Sequence, residues 1–113
     1  MQIIKEPTRL KDIWQGRETP FVELLKIVVD VDKKIIAADA EMHADLEEML
    51  LQKGSLQTNI WGANLYPLRE SDDFVEFTAL INIRPSQGNK SMEVLDEALK
   101  QRMKAIIKKL ILR

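Results

Sequence analysis

The strongest structural signal in the chain is an apolar stripe at helical spacing in its last twenty or so residues. Side chains three or four positions apart lie on one face of a helix, so the stripe predicts an amphipathic helix with one buried side. Acidic residues lie near the start of this segment and basic residues near its end, the order that the helix dipole favours. A helix of this kind needs an apolar surface to pack against. The apolar positions are Leu95, Leu99, Met103, Ile106, Ile107 and Leu110.

Two predicted β-hairpins can supply that surface. Residues 24–31 and 35–40 are rich in β-branched side chains and flank a polar turn, a pattern typical of a hairpin. Residues 58–68 and 73–85 flank a second polar turn and predict another antiparallel pair. In the last of these strands apolar residues alternate with polar ones at a period of two, as expected of a strand with one buried face. The alternating apolar residues are Val75, Phe77, Ala79, Ile81 and Ile83.

A short helix is predicted between the two hairpins. Asp45 followed by Glu48 is a capping-box pattern that marks its start, and Gly54 marks its end. A short first strand and a weak first helix precede the first hairpin. The predicted fold is therefore α+β, a mostly antiparallel sheet built from two hairpins. It carries the short middle helix and, packed on one face, the long amphipathic C-terminal helix.

Composition narrows the classes of protein that the chain can belong to. A length of 113 residues without internal repeats or linkers predicts a single domain, 1–113. A net charge of −1 makes nucleic acid an unfavourable partner, and no apolar run reaches the roughly 20 residues of a membrane span. The absence of cysteine excludes disulfides, a thiolate nucleophile and cysteine zinc sites. These features, with no signal-peptide pattern at the start, predict a soluble cytoplasmic protein.

The polar face of the second hairpin is the main candidate site. If its apolar faces are paired, the other face collects amide, phenol, carboxylate and guanidinium groups. Arg84 is suited to hold a carboxylate or phosphate by two parallel hydrogen bonds, and the loop around Gly88 could add backbone N–H donors. The predicted ligand-binding residues are Asn64, Tyr66, Asn82, Arg84, Gln87 and Asn89.

The same residues have a structural alternative. Arg84 could pair with Glu76 or with a carboxylate of the acidic segment 39–48, because structural ion pairs mimic functional sites. In that case the Asn82 side chain would bond backbone, and Asn89 or Ser91 would cap the C-terminal helix.

A second candidate site is the stretch Glu41 to Asp45. In an extended chain Glu41 and His43 project to the same side, so His43 could act as a general base that Glu41 orients. Two carboxylates and the imidazole could instead ligate a divalent metal, although a histidine-rich zinc site is excluded because His43 is the only histidine. The alternatives are a structural role for His43 and the N-cap role for Asp45. Glu41 and His43 are the predicted catalytic residues, and no metal or cofactor is assigned.

Three stretches of the chain resemble a family of short uncharacterised prokaryotic proteins, a domain of unknown function. They are "HADLEEMLL", "WGANLYP" and "INIRPSQGN", which begin at His43, Trp61 and Ile81. The resemblance spans nearly the whole chain and implies a small stand-alone protein, with no activity to carry over. One departure is Lys34, where the family pattern implies glycine in the turn.

These observations leave two functions open. The first is a pocket that binds or acts on a small anionic ligand, with Arg84 holding the anion and His43 moving a proton. The second is a non-enzymatic interaction or oligomerisation module, for which homodimerisation is plausible in so small a protein. Whether His43 and Arg84 share one cleft discriminates between them.

Overall fold

The computed structural model describes the backbone of residues 1–113 and every side chain except that of Asp72. The predicted α+β fold is confirmed: seven strands and three α-helices alternate along the chain. The strands are β1 Gln2–Ile4, β2 Thr8–Arg9, β3 Leu25–Asp30, β4 Ile35–Ala38, β5 Ile60–Leu65, β6 Val75–Glu76 and β7 Ile111–Leu112. The helices are α1 Leu10–Gln15, α2 His43–Gln52 and α3 Glu97–Leu110.

Five strands form one antiparallel sheet in the order β1-β4-β3-β5-β6. The predicted first hairpin is β3 and β4, which pair from Asp30 opposite Ile35 to Ile27 opposite Ala38. Lys34 in its turn has a φ of 57°, the left-handed conformation that explains why glycine suits this position. The remaining strands, β2 and β7, form a separate parallel pair.

The sheet is covered by a helix on each face. On one face Met103, Ile106 and Ile107 of α3 pack in a single buried cluster with β3 and β5 side chains such as Val29 and Ala63. On the other face α2 packs in a smaller cluster whose buried residues are Val28, Ala37, Ala40, Leu46, Leu50 and Ile60. The central strand β3 is buried on both sides, which accounts for its continuous apolar sequence. None of the helices formed by the described residues is long and apolar enough to cross a membrane.

The predicted helix ends are partly wrong. Helix α2 begins at His43 after Met42, whose side chain makes no capping bond, so Asp45 lies in the first turn rather than at the N-cap. Its end at Gly54 is confirmed by a φ of +98° and by the 3.1 Å bond from Gly54 N to Leu51 O. An acidic residue is favourable in the first turn of a helix, where it interacts with the positive end of the helix dipole, so Asp45 still stabilises the start of α2.

Helix α3 also begins later than the apolar stripe predicts. Asp96 is its N-cap, and one Asp96 carboxylate oxygen accepts a hydrogen bond from Leu99 N at 3.2 Å. Neither Asn89 nor Ser91 has the capping role. Leu95 precedes the helix and is 55% exposed, so it does not belong to the buried stripe.

The long second strand of the second hairpin is the largest error of prediction. Strand β6 has only two residues, and after it the chain passes over Gly62 of β5 instead of running beside it. Beyond Glu76 the edge of this segment pairs with residues 92–94, where Ala79 N donates to Met92 O at 3.1 Å. A short 3-10 turn, Leu80–Asn82, then reverses the chain. The alternation of apolar residues therefore does not mark one continuous strand.

Candidate functional site

Arg84 is buried at one end of β5, with 8% of its surface exposed. Each of its three guanidinium nitrogens donates to a backbone carbonyl: Nε to Ile81 O at 2.9 Å, Nη1 to Gln57 O at 2.6 Å and Nη2 to Ile60 O at 2.5 Å. Carbonyls from two distant parts of the chain thus meet on one side chain. Arg84 fastens the turn after β6 to the start of β5.

The Arg84 charge also has internal partners. A Glu47 carboxylate oxygen lies 3.5 Å from Nη2, and the guanidinium carbon lies 4.4 Å from the centroid of the Trp61 ring. Burial lowers the pKa of Arg84, and the Glu47 charge opposes that shift. Glu47 belongs to the acidic segment 39–48, so this is the arrangement expected from the structural alternative. The ligand-binding role of Arg84 stays a prediction.

Asn82 and Asn89 are buried and bonded to backbone. The Asn82 amide pairs with both backbone groups of Gly62, accepting from its N–H at 2.8 Å and donating to its carbonyl at 3.0 Å. The Asn89 amide donates to Asn82 O at 2.8 Å and Glu93 O at 3.0 Å, while its oxygen accepts from Leu95 N at 2.9 Å. Both side chains act as extra backbone links where the chain has left the sheet.

Asn64 and Tyr66 meet at Glu76, as the predicted pairing of the second hairpin requires. Asn64 Nδ2 donates to a Glu76 carboxylate oxygen at 2.9 Å, and the Tyr66 hydroxyl donates to the same oxygen at 3.1 Å. Burial, followed by the contact with Glu76, raises the pKa of Tyr66. The Asn64 side-chain oxygen is buried and has no hydrogen-bond partner among the described residues.

His43 lies at the start of α2 against the middle of β5. Its Nε2 is 2.8 Å from Ala63 O, so Nε2 carries the proton and Nδ1 is left as an acceptor. Burial lowers the pKa of His43 below its ordinary value of 6.5, and the charge of Lys26 acts in the same direction. The hydrogen bond to Ala63 O opposes this shift, and the net lowering of the pKa favours the neutral imidazole.

Glu41 does not orient the imidazole in the way predicted. Its side chain is exposed, and its backbone oxygen accepts a 2.7 Å hydrogen bond from Lys26 Nζ. The proton of His43 goes to Ala63 O instead. Among the described side chains no group of three His, Asp or Glu residues is placed to share a metal ion.

His43 and Arg84 act on different parts of the same strand. His43 contacts Ala63 and Arg84 contacts Ile60, three residues away, or about 10 Å along an extended strand. Gly62, with its Asn82 partner, lies between them. The predicted proton-transfer residue, His43, and the predicted anion-binding residue, Arg84, therefore do not meet in one pocket.

A polar depression lies beside Arg84 and is called the polar cleft. It has a volume of about 550 Å³ and lies between the segment before β5, the turn after β6 and the start of α3. Gln87 and Asn89 line it, so two of the predicted ligand residues belong to it. Its other lining residues are Val31, Thr58, Asn59, Trp61, Gly88, Leu95, Asp96, Ala98, Leu99 and Arg102.

Thr58, Asn59 and Arg102 contribute polar groups to the cleft but were not among the predicted site residues. Arg102 is one of six basic residues from Lys100 to Arg113, a pattern typical of a solvated helix face. In the structure its Nη2 donates to Val31 O at 3.2 Å, which holds the guanidinium at the cleft. A long-range contact of this kind leaves no local signal in the sequence.

The backbone N–H groups of Gln87, Gly88 and Asn89 all have internal partners. Gln87 N and Asn89 N both donate to Arg84 O, at 2.9 and 3.1 Å, and Gly88 N donates to Pro85 O at 3.0 Å. These three N–H groups, which were predicted to bind an anion, instead donate to carbonyls of the same loop. Anion binding at the cleft would depend on side chains and on the N-terminus of α3.

Comparison with curated proteins and with solved structures found no significant match. A family model described as "Protein of unknown function (DUF5674)" matches residues 2–110, nearly the whole chain. The chain belongs to the DUF5674 family of proteins of unknown function.

Proposed function

We propose that the protein binds a small anionic molecule, bearing a phosphate or a carboxylate, in the polar cleft. The observation that carries the proposal is the placement of Arg102, a guanidinium held at the cleft by a single backbone bond. A guanidinium has five N–H donors in a planar fork that suits carboxylate and phosphate oxygens. Arg102 thus has donors in excess of its one internal contact.

The start of α3 supports an anionic rather than a cationic ligand. Asp96, Ala98 and Leu99 line the cleft, so the positive end of the helix dipole faces it. Asp96 is the one carboxylate of the lining, and one of its oxygens is engaged by Leu99 N. The N-terminus of α3 and Arg102 together favour a negatively charged ligand in the polar cleft.

Neutral polar groups of the cleft would fix the orientation of the ligand. Thr58 and Asn59 bring a hydroxyl and an amide to one wall, and Gln87, whose Nε2 donates to Thr58 O at 3.2 Å, brings a second amide. Arg84 supports this wall through its bond to Gln57 O, and Asn89, which also lines the cleft, is fixed by its bond to Asn82 O. A volume of about 550 Å³ is within the range of small-molecule sites.

In this proposal the protein binds the anion, and His43 does not act on it as an acid or a base. His43, Asn64 and Tyr66 do not line the cleft, and the imidazole donates its proton to Ala63 O. A ligand in the cleft would be held by donors and would not be in contact with the His43 imidazole. The catalytic role of Glu41 and His43 stays a prediction and is not part of this proposal.

An NMR titration of backbone amides tests the proposal. The probes are orthophosphate, pyrophosphate, citrate and adenosine monophosphate, added to the labelled protein at constant ionic strength. We expect saturable shifts with at least one probe, centred on Thr58, Asn59, Gly88 and Arg102. Shifts centred on His43 and Asn64 instead, or no saturable shift with any of the four, would contradict the proposal.

A further inference from the structure

A second depression, the apolar groove, lies on the opposite side of α3 from the polar cleft. It has a volume of about 840 Å³ and runs between the residues around β6 and the last turns of α3. Apolar side chains form its floor: Phe74, Val75, Phe77, Ile107, Ile111 and Leu112. A groove of this composition can accept apolar side chains of a partner.

Basic residues border the groove. Among the described side chains, Lys104, Lys108 and Arg113 line it together with the carboxylate of Asp73. None of the three basic groups has a carboxylate within salt-bridge distance among the described side chains. Arg113 is fixed in place, with its guanidinium 4.1 Å from the centroid of the Phe74 ring. The rim is therefore positively charged and complementary to an acidic partner.

The groove also runs along an open strand edge. Strand β6 is the last strand of the sheet, and Tyr66 N donates to Phe74 O at 2.7 Å. Since alternate residues of an antiparallel strand bond the same neighbour, the N–H and C=O of Val75 point away from β5. Residues 92–94 cover this edge only from Phe77 onwards. An extended peptide can pair with the backbone of Val75 and place its side chains in the groove.

A second copy of the chain is a poor occupant of this groove. A symmetric dimer joins the same patch on both copies, so it would bring two sets of Lys104, Lys108 and Arg113 together. Like charges placed face to face oppose association. The charge of the rim thus favours a different, acidic partner over self-association.

We infer that the apolar groove binds an extended peptide segment of another protein that carries apolar side chains next to Asp or Glu. The apolar side chains occupy the groove floor, the backbone pairs with Val75, and the carboxylates contact the basic rim. This surface is separate from the polar cleft. Peptide binding can therefore succeed or fail independently of the proposed anion binding.

Selection from a displayed library of random 12-residue peptides tests the inference. We expect the recovered peptides to combine apolar residues with Asp or Glu. Their affinity, measured by fluorescence anisotropy, should fall about tenfold or more in Lys108→Glu, as expected when a close charge pair is reversed. The matched control is Lys109→Glu, the same charge change at the next residue of α3, which does not line the groove. It should change the affinity less than about twofold.

Several outcomes would overturn the inference. These are the recovery of no binding peptide, the recovery of peptides without acidic residues, and equal losses of affinity in Lys108→Glu and Lys109→Glu. Sedimentation of the protein alone supplies a further test. A dimer that Lys108→Glu alters would show that the groove holds a second copy, and it would also overturn the inference.

Discussion

At the scale of single residues, the polar side chains of the candidate site mostly replace missing backbone partners. Asn82 shows this most clearly, because its amide bonds both the N–H and the C=O of Gly62. Strand β6 pairs with Asn64 and Leu65 of β5 and does not reach Gly62. A buried peptide group without a hydrogen-bond partner is costly. Asn82 is fully buried and supplies what a strand would have supplied.

Asn82→Ala should therefore destabilise the fold strongly. The substitution leaves two buried backbone groups of Gly62 without partners, at about 1–3 kcal/mol each. We expect a loss of about 2–5 kcal/mol in the free energy of unfolding, measured by urea denaturation. Asn59→Ala, an amide at the polar cleft, is the control and should change stability by less than about 0.5 kcal/mol. Equal effects of the two substitutions would contradict this role of Asn82.

His43 should make the stability depend on pH. Its pKa is lowered in the folded protein, so between the folded and unfolded pKa values the unfolded chain binds more protons. The stability from neutral His43 is present above pH 6.5 and is lost as the pH falls below that value. His43→Gln should show a smaller decrease in stability between pH 7.5 and pH 5.5 than the parent protein. An equal decrease in both, measured by urea denaturation, would contradict the lowered pKa.

At the scale of elements, turn residues and apolar patterns in the sequence correctly predicted the elements that are held by contacts between residues close in the chain. The first hairpin and the end of α2 at Gly54 depend on turn residues that the sequence displays. The error in β6 has a different cause. The alternation from Val75 to Ile83 is real, but Ile81 packs with the α2 side of the sheet while Val75 packs with the α3 side. The chain changes faces by crossing Gly62, a contact between residues about twenty positions apart.

This crossing predicts that Gly62 does not tolerate a side chain. A Cβ at Gly62 would lie 2.5 Å from the Ala79 Cβ and 3.1 Å from His43 Cδ2. Gly62→Ala should cost about 1–3 kcal/mol, as overpacking of a core does, measured by urea denaturation. Ala79→Gly in the same chain removes the nearest atom and should recover part of the loss. Strictly additive effects of the two substitutions would contradict the close contact.

At the scale of the whole molecule, folding separates the residues that the sequence analysis had grouped. Arg84, Asn82 and Asn89 hold the turn after β6, and Gln87 reaches the polar cleft. Asn64 lies further along β5, and His43 of α2 contacts Ala63 beside it. Residue type could indicate which side chains form bonds, but it could not indicate whether the partner is a ligand or distant backbone. Arg102 is the opposite case: its place in the sequence of α3 predicts an exposed helix residue and gives no sign of its contact with Val31.

The affinity of the polar cleft for an anion, compared between two variants of α3, tests the central claim most directly. The probe is whichever of the four anions gives the largest NMR shifts, and calorimetry measures its dissociation constant. Arg102→Ala should weaken binding about tenfold or more, because a hydrogen bond to a charged group contributes roughly 1.5–3 kcal/mol. Lys109→Ala removes the same charge outside the cleft and should change the affinity less than about twofold. Equal weakening by both substitutions, or none by Arg102→Ala, would contradict the claim that the cleft binds an anion.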